Sequence, residues 1–132
     1  GMNMFISTGI NDSPVITGVA ALQMVNAAFH AAKFDVNGNI APAGAGENAL
    51  GLFIATTPET VNAGEEVTVQ IKDIGLWVTG DAVAAGDELT SNENGAAVPA
   101  GQGDYVTAIA LEAAPAAGQV IKVQIVKSGI RP

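Results

Sequence analysis

The chain has 132 residues, no cysteine, and 13 acidic against 5 basic residues, for a formal net charge of −8. These facts exclude disulfides and thiolate chemistry, and the singly scattered Lys and Arg supply no basic patch of the kind a nucleic-acid surface needs. No apolar run approaches the roughly 18 to 20 residues that span a bilayer, so no membrane partner is expected.

The length predicts one domain over residues 1–132, with residues 1–14 as an N-terminal arm. Gly1 before Met2 is read as a scar of tag cleavage and set aside, and the start lacks the charge of a signal peptide. Only 14% of residues are charged while 48% are hydrophobic. Some apolar surface is therefore expected to face another subunit or a partner.

The arm opens with a short apolar cluster, Met4-Phe5-Ile6, followed by Gly, Asn, Asp, Ser and Pro; it predicts an edge strand leading into a loop. From Val15 to Phe34 two signals compete. The alanines with Leu22, Met24, Val25 and Phe29 have helical propensity, and Thr17 could cap a short helix near the N-terminus. The corresponding part of the second half carries Gly75, Gly80 and Gly86, which favours strands in both.

Lys33 to Val36 and Ile40 to Ala43 flank Asn37-Gly38, the pair most suited to a tight hairpin with both central residues at positive φ. Ala49 to Thr56 is a continuous apolar run, expected as a strand buried on both faces. Glu66 to Lys72 alternates, with Val67, Val69 and Ile71 on one side. Leu76 to Val78 forms a further strand around Trp77. Glu88 to Ser91 and Ala96 to Val98 flank the turn Asn92-Glu93-Asn94-Gly95, and Tyr105 to Glu112 and Val120 to Val126 complete the series. Short strands separated by Gly/Pro turns predict an all-β fold, a small barrel or sandwich.

The second half repeats the first. Asn37-Gly38, Pro42, Gly44, Gly46 and Glu47 return 57 residues later as Asn94-Gly95, Pro99, Gly101, Gly103 and Asp104. Gly64-Glu65-Glu66-Val67-Thr68-Val69-Gln70-Ile71 returns at an offset of 54 as Gly118-Gln119-Val120-Ile121-Lys122-Val123-Gln124-Ile125. The retained residues are those whose backbone geometry restricts substitution. Two copies define a pseudo-repeated pair of strand-turn units, and no solenoid.

Motifs with chemical meaning fail in detail. Asp35 to Asn39 begins like a calcium loop, but its glycine falls at the fourth position where the sixth is wanted, and Gly46 stands where the closing Glu belongs. Gly44-Ala45-Gly46 and Gly101-Gln102-Gly103 lack the Lys-Ser/Thr that completes a phosphate loop. His30 is the single histidine, with no Cys beside it for zinc and no evident nucleophile to serve. The acid pairs Glu65/Glu66 and Asp87/Glu88 precede strands on which neighbours point to opposite faces. No catalytic residue, cofactor or metal is expected.

Trp77 and Tyr105 are too few for a glycan or base-stacking platform, and Trp77 is expected in the core or at a subunit contact. A surface β-domain binding a receptor or glycan is the alternative function, and a buried Trp77 counts against it.

The run Glu65-Glu66-Val67-Thr68-Val69-Gln70-Ile71-Lys72-Asp73-Ile74-Gly75, then Ala84 to Thr90, Asn94-Gly95, Gly103-Asp104-Tyr105 and Ala108 to Ala114, with a final Val-rich strand, resembles the capsid cement or decoration proteins of tailed bacteriophages. It is also similar to the base domain of phage head fibre proteins. The resemblance runs from Lys33 to the C-terminus. It implies a β-barrel-like virion protein, a homotrimer made in the bacterial host cytoplasm, that binds the major capsid protein on the outer capsid surface and stabilises it. Met4, Phe5, Ile6 and Trp77 are the expected capsid or subunit contacts.

Overall fold

The computed structural model describes residues 13–132. Met4, Phe5 and Ile6 of the expected arm lie outside the described residues. The elements are β1 (Val15–Val19), β2 (Met24–Val25), β3 (Ala31–Phe34), β4 (Ile40–Pro42), β5 (Gly51–Phe53), β6 (Thr60–Val61), β7 (Glu66–Gln70), β8 (Asp73–Val78), β9 (Glu88–Ser91), β10 (Ala97–Pro99), β11 (Tyr105–Ala110) and β12 (Val120–Ile130). The fold is all-β, with no helix among the described residues.

The competition over Val15 to Phe34 is decided for strands, and packing gives the reason. Neighbouring alanines serve opposite faces: Ala31 joins one core cluster and Ala32 another. A period of two places two small residues against two separate cores, and a helix cannot do this.

Two five-stranded antiparallel sheets carry the fold, in the orders β1-β7-β5-β3-β4 and β10-β9-β11-β12-β8. Reversing the second order gives β8-β12-β11-β9-β10, so each sheet is the other's counterpart strand for strand. The register is equivalent too. Thr17 pairs Thr68 as Leu76 pairs Lys122, and Lys33 pairs Ala41 as Thr90 pairs Val98. Even isolated contacts recur: Ala20 bridges Ile40 as Thr79 bridges Ala97. The duplication therefore reaches back beyond Asn37 to Val15, and it makes Gly18 the counterpart of Trp77.

The turns were read correctly in place but not all in type. At Asn37-Gly38 only Gly38 has positive φ, 78°, matched by Gly95 at 79°. The expected two-residue turn is replaced by a turn from Asp35 to Gly38, closed by Gly38 N–H donating to Asp35 O at 3.0 Å. Asp35 Oδ1 accepts from the N–H groups of Asn37 and Asn39, each at 2.9 Å. A side-chain acceptor holding the turn from its first position relieves Asn37 of any need for a left-handed conformation. Asn92 Oδ1 does the same for Asn94 and Ala96.

Each sheet has one face on a core of its own half. The first core gathers Met24, Ala32, Ile40, Phe53, Val61, Val67 and Val69. The second gathers Trp77, Leu89, Ala97, Ala108, Ile121, Val123 and Ile125, but it also takes in Ala31, Ala43, Ala49 and Leu52 from the first half. Strand β5 separates the two: Phe53 enters the first core and Leu52 the second. The expected burial on both faces is observed over Gly51–Phe53 and fixes how the halves stack, while the rest of the expected strand from Ala49 to Thr56 is not strand and Ala55 and Thr56 are exposed.

Candidate functional site

The chain's conspicuous polar groups are spent on its own backbone. Glu47 Oε1 accepts from Gly44 N–H at 2.6 Å, and Asp104 Oδ2 accepts from Gly101 N–H at 2.8 Å, the same contact in the two halves. Glu47 also receives Lys33 Nζ at 2.9 Å. The Lys33 hydrogen bond, then the Gly44 N–H and then the Lys33 charge, hold the Glu47 carboxyl below its ordinary value of 4.5. His30 is half-buried, with Nδ1 2.9 Å from Ala28 O. Glu65, Glu66 and Glu88 are exposed and Asp87 is half-buried. No group of three or more potential metal ligands forms among the described residues.

Trp77 is completely buried, and its Nε1–H donates to Gly95 O at 2.9 Å. It therefore offers no stacking platform for a sugar. Its position follows from the duplication. In the first half, a Cβ on Gly18 would lie 2.7 Å from Ile40 Cγ1; in the second, Trp77 fills that position and Ala97 replaces Ile40. Large and small have changed places within one geometry, an exchange that sequence comparison of identical residues does not register.

The junction of the halves is the most elaborated region. Gly95 O accepts both Trp77 Nε1–H and Ala31 N–H, the latter at 2.8 Å. Val78 N–H donates to Phe29 O at 2.9 Å, and Gly46 N–H to Ser91 O at 2.8 Å. Ser91 Oγ–H donates to Gly44 O at 2.6 Å. Phe29 itself has φ 66°, at the position where the second half uses Gly86 with φ 91°. A left-handed Phe is strained, and it holds the carbonyl that meets Val78.

Part of what remains open to solvent is apolar. Ile74, Leu76, Leu111 and Val120 are 40–61% exposed. In the first half Leu22, Val25 and Phe34 are 46–59% exposed, and Val36 is fully exposed at the tip of the β3–β4 hairpin. An open pocket of about 360 Å³ beside Met24, Val25, Ala27 and Phe53 has His30 in its lining, with amide side chains but no acid or hydroxyl beside it.

A duplicated all-β scaffold with turn-bound acids and open apolar faces defines a structural or docking protein. The comparisons agree. The sequence profile of the phage cement proteins matches residues 11–125, and the chain belongs to that family. It is thereby a structural, capsid-associated protein of bacteriophage type. No curated protein matches the chain. Among solved structures, the head fibre gp8.5 N base of bacteriophage phi29 is similar in fold, with a TM-score of 0.67 at 21% identity, over 89% of this chain and 98% of that one.

Proposed function

We propose that this protein binds the outer surface of an assembled phage capsid through the major capsid protein and stabilises it, as a homotrimer and without catalytic activity. It is made in the host cytoplasm and resides in the virion, as a single domain over residues 1–132. The observation that carries this reading is the family match over residues 11–125. The chemistry supports it: of the two acid pairs, Glu65 and Asp87 accept from Asn62 N–H and Ala84 N–H in their own turns, and Glu88 pairs with Arg131. A rigid scaffold loses little conformational entropy on docking, and one contact repeated around a symmetric shell turns modest affinity into avidity. A net charge of −8 favours a basic patch on the partner.

The Met4-Phe5-Ile6 arm anchors by adding a strand to a capsid or neighbouring subunit. Trp77 acts from beneath, fixing the core on which the contact surface rests. The test is to incubate purified protein with expanded capsids that lack it, and to measure bound copies and heat resistance. Saturable binding with a raised disruption temperature is expected, and its absence sinks the reading. Deletion of residues 2–9 is expected to weaken capsid binding, and unchanged binding would remove the arm from the mechanism.

A further inference from the structure

The halves are counterparts strand for strand in their two main sheets, so a place where they differ in length marks an addition to one of them. Two hydrogen bonds fix the comparison in each half. Phe29 N–H to Phe53 O and Gly64 N–H to Ala20 O in the first correspond to Gly86 N–H to Ala110 O and Gly118 N–H to Thr79 O in the second. Between these points the first half is longer by three residues from Phe53 to Gly64, and by two from Ala20 to Phe29. The added length forms the two-stranded β2–β6 ribbon, where the second half has only the isolated bridge of Val83 with Ala114. A scaffold that folds without the added residues leaves them free to carry function.

The segment after Phe53 supplies part of the lining of an open pocket of about 230 Å³, and β1 and β7 supply the rest. The polar side chains in its lining bear oxygen alone: the hydroxyls of Thr17, Thr56, Thr57 and Thr68 and the carboxylate of Glu66. Thr57 Oγ1 is buried with no hydrogen-bond partner among the described residues. Thr90 and Thr107 share that state, but each is 1% exposed, whereas Thr57 is half-buried and lines the pocket. The Thr17 and Thr68 hydroxyls lie 3.4 Å apart, one donating to the other, which leaves lone pairs on both oxygens. Glu65 accepts Asn62 N–H, and Glu47 and Glu88 have Lys33 and Arg131, but no group among the described residues holds Glu66. The fold does not require this lining. The cross-strand pair Thr17–Thr68 becomes Leu76–Lys122 in the second half, and Val120 stands in the place of Glu66.

An oxygen-lined pocket with one unpaired carboxylate selects its ligand by charge and by donors. No cation in the lining would receive an anion, and no aromatic face would receive a sugar. One carboxylate among neutral hydroxyls is too little charge for a divalent ion. An ammonium or guanidinium fits, because it brings only N–H donors. It would meet the carboxylate in a charge-assisted bond and the hydroxyl oxygens in neutral ones. We propose that this pocket receives a Lys or Arg side chain of the protein on which the chain docks. The net charge of −8 draws such a group. Lys33 and Arg131 are already paired within the chain, and residues 1–12 contain no Lys or Arg. An exposed carboxylate alone would bind weakly, and the threonine wall supplies acceptors for the donors that Glu66 leaves over. The inference rests on the docking role in the proposed function and gives its charge argument a place on the molecule.

The test titrates the isotope-labelled full chain with N-acetyl-lysine methylamide at low ionic strength, following backbone amide resonances. N-acetyl-norleucine methylamide, which lacks the ammonium, is the control. Saturable shifts at Thr17, Thr56, Thr57 and Thr68 are expected with the lysine compound and not with the control. Glu66→Gln is expected to weaken binding about tenfold or more, as for loss of a charged partner. Thr57→Val removes the buried hydroxyl without breaking a bond and is expected to weaken it severalfold. Far-UV circular dichroism checks that both variants stay folded. Absence of saturable shifts, equal shifts from the norleucine compound, or unchanged affinity in Glu66→Gln overturns the proposal. So does a change of sedimenting mass in Glu66→Gln, which would make a second copy the occupant. Capsid binding by the same proteins is read separately, and both variants are expected to decorate capsids more weakly. Variants that decorate as well as the unmodified chain overturn the pocket and leave the capsid role standing. An unmodified chain that binds the lysine compound as expected yet fails to bind capsids removes the capsid role and leaves the pocket's preference for a basic group.

Discussion

At the scale of single residues, the two halves solve one packing problem with opposite choices. Gly18 leaves room for Ile40, and Trp77 takes up the room that Ala97 leaves. Gly18→Ala alone places a methyl group 2.7 Å from Ile40 Cγ1 and is expected to cost about 1–3 kcal/mol through overpacking. Ile40→Ala alone opens a cavity and costs about 2–5 kcal/mol. The double variant should cost less than the sum by about 1 kcal/mol or more, since the new methyl enters the new cavity. Urea denaturation of the four proteins checks this, and strict additivity would mean that the contact does not set the packing.

Glu47 gives the residue-scale prediction for pH. Its carboxyl is held below 4.5 in the folded chain, so its contribution is present above the unfolded value and is lost as pH falls through the lowered folded value. Both partners of the Lys33–Glu47 pair are substantially exposed, at 31% and 41%, so the effect is small. Denaturation midpoints measured between neutral and strongly acidic pH are expected to fall less steeply in Glu47→Gln than in the unmodified chain. An identical acid limb would mean that the Lys33 and Gly44 hydrogen bonds do not act on the folded state.

At the scale of elements, the turns show how much of the fold was legible and where legibility stopped. Strand β9 falls at Glu88–Ser91 as expected, and β4 and β7 fall within a residue or two of their expected ends. Their alternation and flanking glycines are local signals. The role of β5 in dividing two cores was visible as an apolar run, but which core each side chain enters depends on residues far along the chain. The repeat already set Val15 to Phe34 against the stretch carrying Gly75, Gly80 and Gly86, but the match of Gly18 with Trp77 was not visible, because the two share no identity. The outward positions of β8 escaped notice for a similar reason: Ile74 and Leu76 look like core residues, yet they are 61% and 40% exposed.

Gly38 and Gly95 turn this difference between local and tertiary signals into a measurement. Their φ angles agree within a degree, so replacement by Ala meets the same backbone penalty, about 1–2 kcal/mol. A Cβ on Gly38 meets nothing within 4 Å, whereas one on Gly95 lies 3.3–3.4 Å from backbone atoms of Ala31 and Ala43. Gly95→Ala is therefore expected to be the more destabilising in thermal or urea unfolding. Equal costs would show that the β9–β10 hairpin can lift from the first half freely.

At the scale of the whole molecule, the second core is built from both halves, and this constrains how the chain unfolds. Leu52 is 1% exposed and belongs to the cluster around Trp77, although it sits on a strand of the first sheet. Gly95 O receives donors from both halves, Ala31 N–H and Trp77 Nε1–H. Separating the halves would strand these groups and open the Trp77 cluster to water, so neither sheet gains by persisting alone in the intact chain. A single cooperative transition is expected, with Trp77 emission and far-UV circular dichroism giving the same midpoint. Leu52→Ala carries the point across the junction: it removes a buried side chain from the first half and should cost about 2–5 kcal/mol. Both probes should then shift together. If Trp77 emission instead changed at lower denaturant than the dichroism, the second core would be melting apart from the first sheet.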